Sequence, residues 1–219
     1  MRRTKKIHIE RIPTFAFVVD GETEVWYLNM LKRNEKKLRV KIKPEIPNKK
    51  SVEEQYNLVR DLANKEYEKV FWIIDLDTVA KEAKEAGKGK KSPFRTFAEY
   101  REKLITNFCH VVVIVNNPCL EFWFLLHFER TTKYYPAYAE LEIQLKKYIL
   151  IKKYILNFEK TQRFFTNEKE DIYIKLKPML KQAYTNARAL DSFSSENPQR
   201  AMCEMDLLFQ LKELNVLFD

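Results

Sequence analysis

The sequence predicts an α/β protein with a mostly parallel sheet flanked by helices. Three short apolar runs carry this prediction: residues 14–20 (TFAFVVD), residues 70–75 (VFWIID) and residues 111–115 (VVVIV). Continuous apolar runs of this length are typical of strands buried on both faces. Segments with helical spacing lie between them, and such alternation predicts βαβ units whose right-handed crossovers place helices over both faces of the sheet.

Spacing and turn signals predict the remaining elements of the first half. Residues 22–34 have apolar side chains near helical spacing, and residues 38–42 alternate as in a further strand. A capping box, Ser51-Val-Glu-Glu, starts a second helix. Residues 78–92 are polar, rich in lysine and hold two of the three glycines, so we expect an exposed stretch before a helix over residues 94–108.

No strong strand pattern follows residue 130. Asn167 and the pair Asn197-Pro198 are typical helix starts, and Pro178 either kinks the first of these helices or divides it into two pieces. We therefore expect an α/β core over residues 1–130 and a basic helical extension over residues 131–219 that packs on this core.

Composition restricts the class of protein. A chain of 219 residues, 45% of them hydrophobic, buries a core without disulfides or structural zinc. Cys109, Cys119 and Cys203 match neither a disulfide framework nor a zinc-ligand pair, so we expect buried free thiols. No segment approaches the ~20 apolar residues of a membrane span, which predicts a cytoplasmic protein without membrane contact. The net charge of +9 favours a polyanionic partner such as nucleic acid.

Two acidic motifs directly follow predicted buried strands. Asp20 and Glu24 belong to the segment VDGETE, and Asp75 and Asp77 to IDLD. Ligands of open α/β sheets bind beyond the carboxyl ends of the strands, where these acids are expected. A purely structural interpretation is open for each motif: Asp-Gly is a common turn, acids complement the start of a helix, and Asp77 could cap the next helix.

Convergence of the two motifs would create a cation site. If their strands are neighbours, three or four carboxylates meet in one crevice, and like charges at about 4 Å repel by about a kcal/mol even in water. Shared protons or a divalent cation would relieve this repulsion. A set of carboxylates without His or Cys suits Mg²⁺ or Mn²⁺ rather than zinc.

These motifs resemble the Toprim core shared by topoisomerases, primases and overcoming-lysogenization-defect nucleases. The segment NPCLEFWFLLHF, from Asn117 to Phe128, is similar to the N-P-x-x-E-x-W-x-L-L-H-F signature of the RloB-like family, a Toprim-related group associated with restriction and phage-defence loci. The segment DGETE and the following Trp26-Tyr27 fit this family too. The similarity covers residues 14–130 well and the C-terminal helices only loosely.

The resemblance implies a Toprim-like sheet and a metal-dependent nuclease that cuts RNA or DNA in phage defence. Asp75 and Asp77 would hold Mg²⁺ or Mn²⁺, and Asp20 and Glu24 would complete the shell or serve a second ion. Glu121 would lie nearby and help to orient the site. A topoisomerase or primase is not expected, because neither a tyrosine cleavage domain nor a zinc module is present.

The segment around Asn117 has its own physical interpretation. Asn117 could cap a helix that begins at Pro118, and this helix is apolar nearly all round, hence buried. A buried Glu121 needs a metal, His127 or a lysine as its partner. Asn117 and His127 are possible supporting residues, although a lone His on an apolar helix is more often a hydrogen-bonded core residue. Candidate contacts for the nucleic-acid backbone are the lysines from Lys81 to Lys91, among them Lys88, Lys90 and Lys91, together with Lys146, Lys147, Lys152 and Lys153. For any single one of these lysines, a solvated charged face is the commoner interpretation.

Two other functions remain open. Toprim proteins typically have Glu before the glycine, whereas Asp20 is one methylene shorter, so the chain could be a non-catalytic nucleic-acid-binding or sensor protein with a degenerate site. The helical tail could instead make the chain a scaffold for a homo-oligomer. The sequence holds no P-loop motif, so any ATP-driven sensing would require a separate ATPase or sensor subunit.

Overall fold

The sheet has five strands and is mostly parallel. The computed structural model describes residues 12–47, 51–87, 91–151 and 158–218. Within them the strands are β1 (Thr14–Val19), β2 (Lys41–Glu45), β3 (Lys69–Asp75), β4 (Val111–Asn117) and β5 (Met202–Cys203). Their order is β2-β1-β3-β4-β5; β1 to β4 run parallel, and β5 pairs antiparallel with β4. The predicted α/β class and mostly parallel sheet are confirmed.

Helices connect the strands and fill the C-terminal part. In the described residues the α-helices are α1 (Glu22–Asn34), α2 (Val52–Ala63), α3 (Leu76–Glu85), α4 (Pro93–Asn107), α5 (Glu121–Leu126), α6 (Tyr138–Ile151), α7 (Gln162–Phe165), α8 (Ile172–Leu176), α9 (Leu180–Arg188) and α10 (Asp206–Phe209). Short 3-10 turns cover Lys177–Met179 and Lys212–Leu217. None of the described helices is long and apolar enough to cross a membrane.

Alternation along the strands gives the sheet two apolar faces. In β1, Phe15 and Phe17 belong to one buried cluster, whereas Ala16 and Val18 belong to the other. Successive side chains of a strand point to opposite faces, so a continuous apolar run implies cover on both. Helices α1, α5, α8, α9 and α10 contribute to the first cluster, and α2, α3 and α4 to the second. Helices therefore flank both faces, as predicted.

Several local predictions are confirmed. The Ser51 side chain accepts a hydrogen bond from the Glu54 backbone N–H at 3.3 Å and so caps α2. Pro178 lies in the 3-10 turn between α8 and α9, which makes the helical pattern two pieces. One helix start differs from the prediction. The helix expected from Asn167 begins later, because Asp171 caps it: its side chain accepts a hydrogen bond from the Ile174 N–H at 2.9 Å.

Other predictions are wrong. Residues 76–85 form α3, because Leu76 and Val79 anchor a helical face on the sheet where an exposed stretch was expected. Asn117 does not cap a helix at Pro118, since Asn117 ends β4, pairs with Met202 and precedes a cis peptide bond; α5 starts at Glu121.

The region after residue 130 is largely helical, as predicted, but it differs from the prediction in two places. It contributes β5, and Asn197-Pro198 does not start a helix, because the chain there leads into β5. The Glu204 carboxylate accepts a hydrogen bond from the Val115 N–H at 3.1 Å, which ties this segment to β4. Cys119 and Cys203 are buried free thiols as expected, but Cys109 is exposed. The boundary at residue 130 stays a prediction, and described residues on its two sides share one apolar cluster.

Candidate metal centre

Neighbouring strands bring the two acidic motifs together. β1 and β3 pair in parallel with Val19 opposite Ile73, so Asp20, just after β1, and Asp75, the last residue of β3, reach the same edge of the sheet. Asp77 lies in the first turn of α3. One carboxylate oxygen from each of Asp20, Asp75 and Asp77 lies within 4.8 Å of the other two. This spacing allows a single cation to contact all three carboxylates.

Glu24 is a fourth acid beside this cluster: it lines the same cavity and its charge acts on Asp75, but its carboxylate is not among the three that lie within 4.8 Å of one another. It lies in the first turn of α1 and is only 3% exposed. Burial and the negative charges of Glu121 and Asp20 raise the pKa of Glu24 to about 8. The acid is therefore largely protonated at neutral pH unless a cation neutralises its neighbours.

Two hydrogen bonds fix the orientation of the Asp20 carboxylate. Gln55 Nε2 donates to its Oδ1 at 2.6 Å, and Thr78 Oγ1 donates to its Oδ2 at 2.7 Å. Trp72 Nε1 in turn donates to Gln55 Oε1 at 2.7 Å. Each carboxylate oxygen has two lone-pair directions, so these bonds orient Asp20 while leaving it able to bind a cation.

The charged form of Asp75 is strongly disfavoured by its surroundings. Its Oδ1 is buried and has no hydrogen-bond partner among the residues that the structure describes. Burial, followed by the charges of Glu24 and Asp20, raises the pKa of Asp75 well above its usual range. The more accessible Asp77 responds less: burial and the charge of Asp20 raise its pKa to about 6.

Glu121 lies behind this cluster with a lysine as its partner. Its side chain is fully buried, and Lys160 Nζ lies 2.7 Å from Oε1, as an ion pair rather than an aligned hydrogen bond. Burial is the largest single influence and opposes the charge of Lys160, but the interactions with Glu121, together with Cys119 and Asp75, raise the pKa of the lysine overall. Glu121, Asp75 and Cys119 also each place a ligand atom within 4.8 Å of the others. A lysine was one of the partners expected for Glu121.

The acids line a wide cavity, called here the acidic cavity, with a volume of about 840 Å³. Its described lining is Asp20, Gly21, Glu22, Thr23, Glu24, Trp26, Ile46, Asp75, Asp77, Thr78, Lys81 and Lys160. The mixture of carboxylates with the ammonium groups of Lys81 and Lys160 allows the cavity to hold a cation and an anionic group side by side.

The chemistry of the donors fits a hard divalent cation. Asp20, Glu24, Asp75 and Asp77 offer only oxygen atoms, which Mg²⁺ and Mn²⁺ prefer. The buried Asp75 Oδ1 has no hydrogen-bond partner among the described residues, and the pKa values of three of these acids are raised, so a cation at this point would be electrostatically favourable. The residues present therefore fit such an ion.

The predicted supporting residues lie elsewhere. His127 is buried in the core, where its Nδ1 N–H donates to the Trp123 carbonyl at 2.9 Å and burial lowers its pKa to about 3. It is therefore neutral at physiological pH, in agreement with the core-residue interpretation. Asn117 Nδ2 donates to the carbonyls of Pro198 at 2.9 Å and Arg200 at 2.7 Å, so its role here is to hold the segment before β5.

Of the predicted phosphate-binding lysines that the structure describes, Lys81 lines the acidic cavity, whereas Lys91, Lys146 and Lys147 do not. Lys91 pairs with Glu99, Lys146 pairs with Glu142 at 3.0 Å, and Lys147 is exposed. Lys88, Lys90, Lys152 and Lys153 lie outside the described residues.

Sequence reasoning did not identify three residues that shape the site: Gln55, Thr78 and Lys160. Thr78 directly follows the Asp-x-Asp motif and lies one position beyond the acids that were recognised. Gln55 is a polar residue on the otherwise apolar inner face of α2, which is a usable signal. Lys160 carries no signal, because it lies far along the chain from Glu121 and from the other acids of the site.

Comparison with known proteins identifies the family. No curated protein and no solved structure gives a match to the chain. The RloB-like protein family matches residues 15–211, from β1 through α10, and so includes the C-terminal part that the sequence motifs covered only loosely. The chain therefore belongs to the RloB-like protein family.

Proposed function

We propose that the chain is a metal-dependent nuclease that hydrolyses phosphodiester bonds of RNA or DNA. The buried, unpartnered Asp75 Oδ1 within a cluster of carboxylates is the observation that carries this proposal. A Mg²⁺ or Mn²⁺ ion held by Asp75, Asp77 and Asp20 would polarise a phosphoryl oxygen and lower the pKa of a bound water.

The remaining residues of the cavity support the same chemistry. Gln55 and Thr78 hold Asp20 in a single orientation. Lys81 and Lys160 line the cavity and supply positive charge for a phosphate. The ion pair with the buried Glu121 holds the Lys160 ammonium group in place. Glu24 would complete the carboxylate shell, and its raised pKa favours a protonated carboxyl in the absence of a cation.

The family resemblance motivates a setting in phage defence, with a separate ATPase or sensor subunit as partner. The plating efficiency of phage on cells that carry the wild-type locus or the Asp75→Asn locus tests this setting. Equal plating on both would contradict it.

Cleavage of total RNA and plasmid DNA with Mg²⁺ or Mn²⁺ tests the nuclease proposal. Asp75→Asn keeps the shape of the side chain but removes its charge, so we expect the cleavage rate to fall by at least about a hundredfold. Asp61→Asn is the matched control, because Asp61 is an exposed acid of α2 whose removal leaves the acidic cavity unchanged. Cleavage that survives Asp75→Asn would refute the assignment of the site.

One observation favours a second candidate function, a non-catalytic binding or sensor protein. Asp20 is shorter than the Glu typical of Toprim proteins, and Gln55 and Thr78 each donate to one of its oxygens. Calorimetric titration of Mg²⁺ separates the candidates. Metal binding that depends on Asp75, together with nucleic-acid binding but no cleavage of any substrate, would support the sensor.

A further inference from the structure

A second cavity adjoins the acidic one. It has a volume of about 350 Å³ and is called here the aromatic cavity. One side of α3 forms a wall through Leu76, Ala80 and Ala83, and the rings of Phe94 and Tyr134 face the same space. This volume lies at the lower end of the range of small-molecule sites, roughly 300–1,000 Å³.

Asp77 links the two cavities. Asp77 belongs to the lining of both the acidic cavity and the aromatic cavity, so the two cavities are adjacent at this residue and one ligand could contact both. A nucleotide has this bipartite form, with an anionic phosphate next to a flat, largely apolar base.

The lining of the aromatic cavity suits a nucleobase. Phe94 and Tyr134 are both half-buried, and each keeps part of its ring accessible for stacking. The amide side chains of Asn117 and Gln199 provide polar groups for a base edge, and Asn117 is held in place by its bonds to two carbonyls. Asp77 is the sole acid and Lys84 the sole basic residue among the described lining residues, so the cavity has no excess of either charge, as suits a neutral base.

We infer that the aromatic cavity binds one unpaired base of the substrate, next to the phosphate held in the acidic cavity. This inference rests on the proposed nuclease function and names its substrate class: single-stranded or locally unpaired nucleic acid. A base inside a duplex is stacked on both sides and cannot enter a cavity without leaving the helix. Stacking on an aromatic side chain tolerates every base, so the site selects unpaired nucleotides rather than a sequence.

Equilibrium binding of fluorescent oligonucleotides tests this inference without requiring cleavage. The probes are a single-stranded oligothymidine, a strand of equal length in which every sugar lacks its base, and a duplex, each measured in Ca²⁺ to supply a hard cation. We expect the wild-type protein to bind the intact strand roughly tenfold more tightly than the abasic strand. Tyr134→Ala should abolish this difference, whereas Tyr134→Phe, which keeps the ring, should retain it. Phe94→Leu, which removes a ring but keeps an apolar side chain, is a second variant in which the preference for the intact strand should fall.

The outcomes separate this inference from the nuclease proposal. Base-dependent binding that Tyr134→Ala abolishes supports the base site even if no substrate is cut. Cleavage that depends on Asp75, with equal binding of intact and abasic strands, overturns the base site and leaves the nuclease standing. Equal affinity for duplex and single strand also overturns the base site. So does a base preference that is lost in Trp26→Leu but kept in Tyr134→Ala, because Trp26 lines the acidic cavity and not the aromatic one.

Discussion

Glu24→Gln should stabilise the metal-free protein at neutral pH. Burial raises the pKa of Glu24 from 4.5 to about 8, so the folded state holds a proton on this acid at pH values where the unfolded chain has released it. A group whose pKa is raised by folding destabilises the folded state increasingly as pH rises between these two values. Glutamine has nearly the same shape but does not ionise, so it does not destabilise the folded state in this way.

The size of the effect follows from the two pKa values. Each pKa unit corresponds to about 1.4 kcal/mol, so the cost of Glu24 is below about 1 kcal/mol at pH 5 and about 3 kcal/mol at pH 7. The gain in unfolding free energy on Glu24→Gln should therefore be small at pH 5 and large at pH 7, and should level off above pH 8.

Urea unfolding at both pH values, in the presence of a chelator, measures this gain. Glu22→Gln is the matched control, because Glu22 lies in the same first turn of α1 but is exposed, so its removal costs only the favourable interaction with the helix dipole. A gain of the same size at both pH values, or a less stable variant at pH 7, would refute the argument.

Metal should reverse the order of stability. A cation that binds the folded protein stabilises it according to its concentration relative to the dissociation constant. Because the proposed carboxylate shell includes Glu24, saturating Mg²⁺ should stabilise the wild type more than Glu24→Gln. An equal increase in both proteins would contradict a role for Glu24 in cation binding.

Three further predictions follow from the described contacts. Burial lowers the pKa of His127 to about 3, so the folded protein loses stability as pH falls below 6.5, by about 2 kcal/mol at pH 5. In urea unfolding, His127→Gln should remove this part of the pH dependence. Gln55→Leu should weaken Mg²⁺ binding about tenfold in calorimetry, because Asp20 loses a donor at 2.6 Å, and unchanged affinity would contradict this. Asp171→Ala should destabilise the protein by about 3 kcal/mol in thermal unfolding, because the buried carboxylate accepts from Arg33 at 2.6 Å and also caps α8; a loss below about 1 kcal/mol would contradict it.

The carboxylate cluster was predictable because its parts are local. Asp20 and Asp75 end apolar strands, and an acid at the end of a buried parallel strand lies at the ligand-binding edge of the sheet whatever surrounds it. The one condition left open was whether the two strands are neighbours, and the pairing of β1 with β3 meets it.

The segment from Asn117 shows how a local pattern can mislead. Asn followed by Pro is a frequent helix start, yet here β5 pairs with the end of β4 and draws Asn117 into the sheet. A two-residue strand has no periodicity that sequence reasoning can detect. Its position depends on contacts such as the bond from the Val115 N–H to Glu204, between residues distant along the chain.

The sequence by itself determined the α/β class, the buried strands and the acids at their carboxyl ends, because apolar runs and turn residues act over a few neighbouring positions. Only the tertiary structure decided that Gln55 orients Asp20, that Lys160 pairs with Glu121, and that the acidic and aromatic cavities meet at Asp77. These contacts join residues far apart in the chain, and their partners are selected by packing and by the cost of leaving a buried charge unpaired.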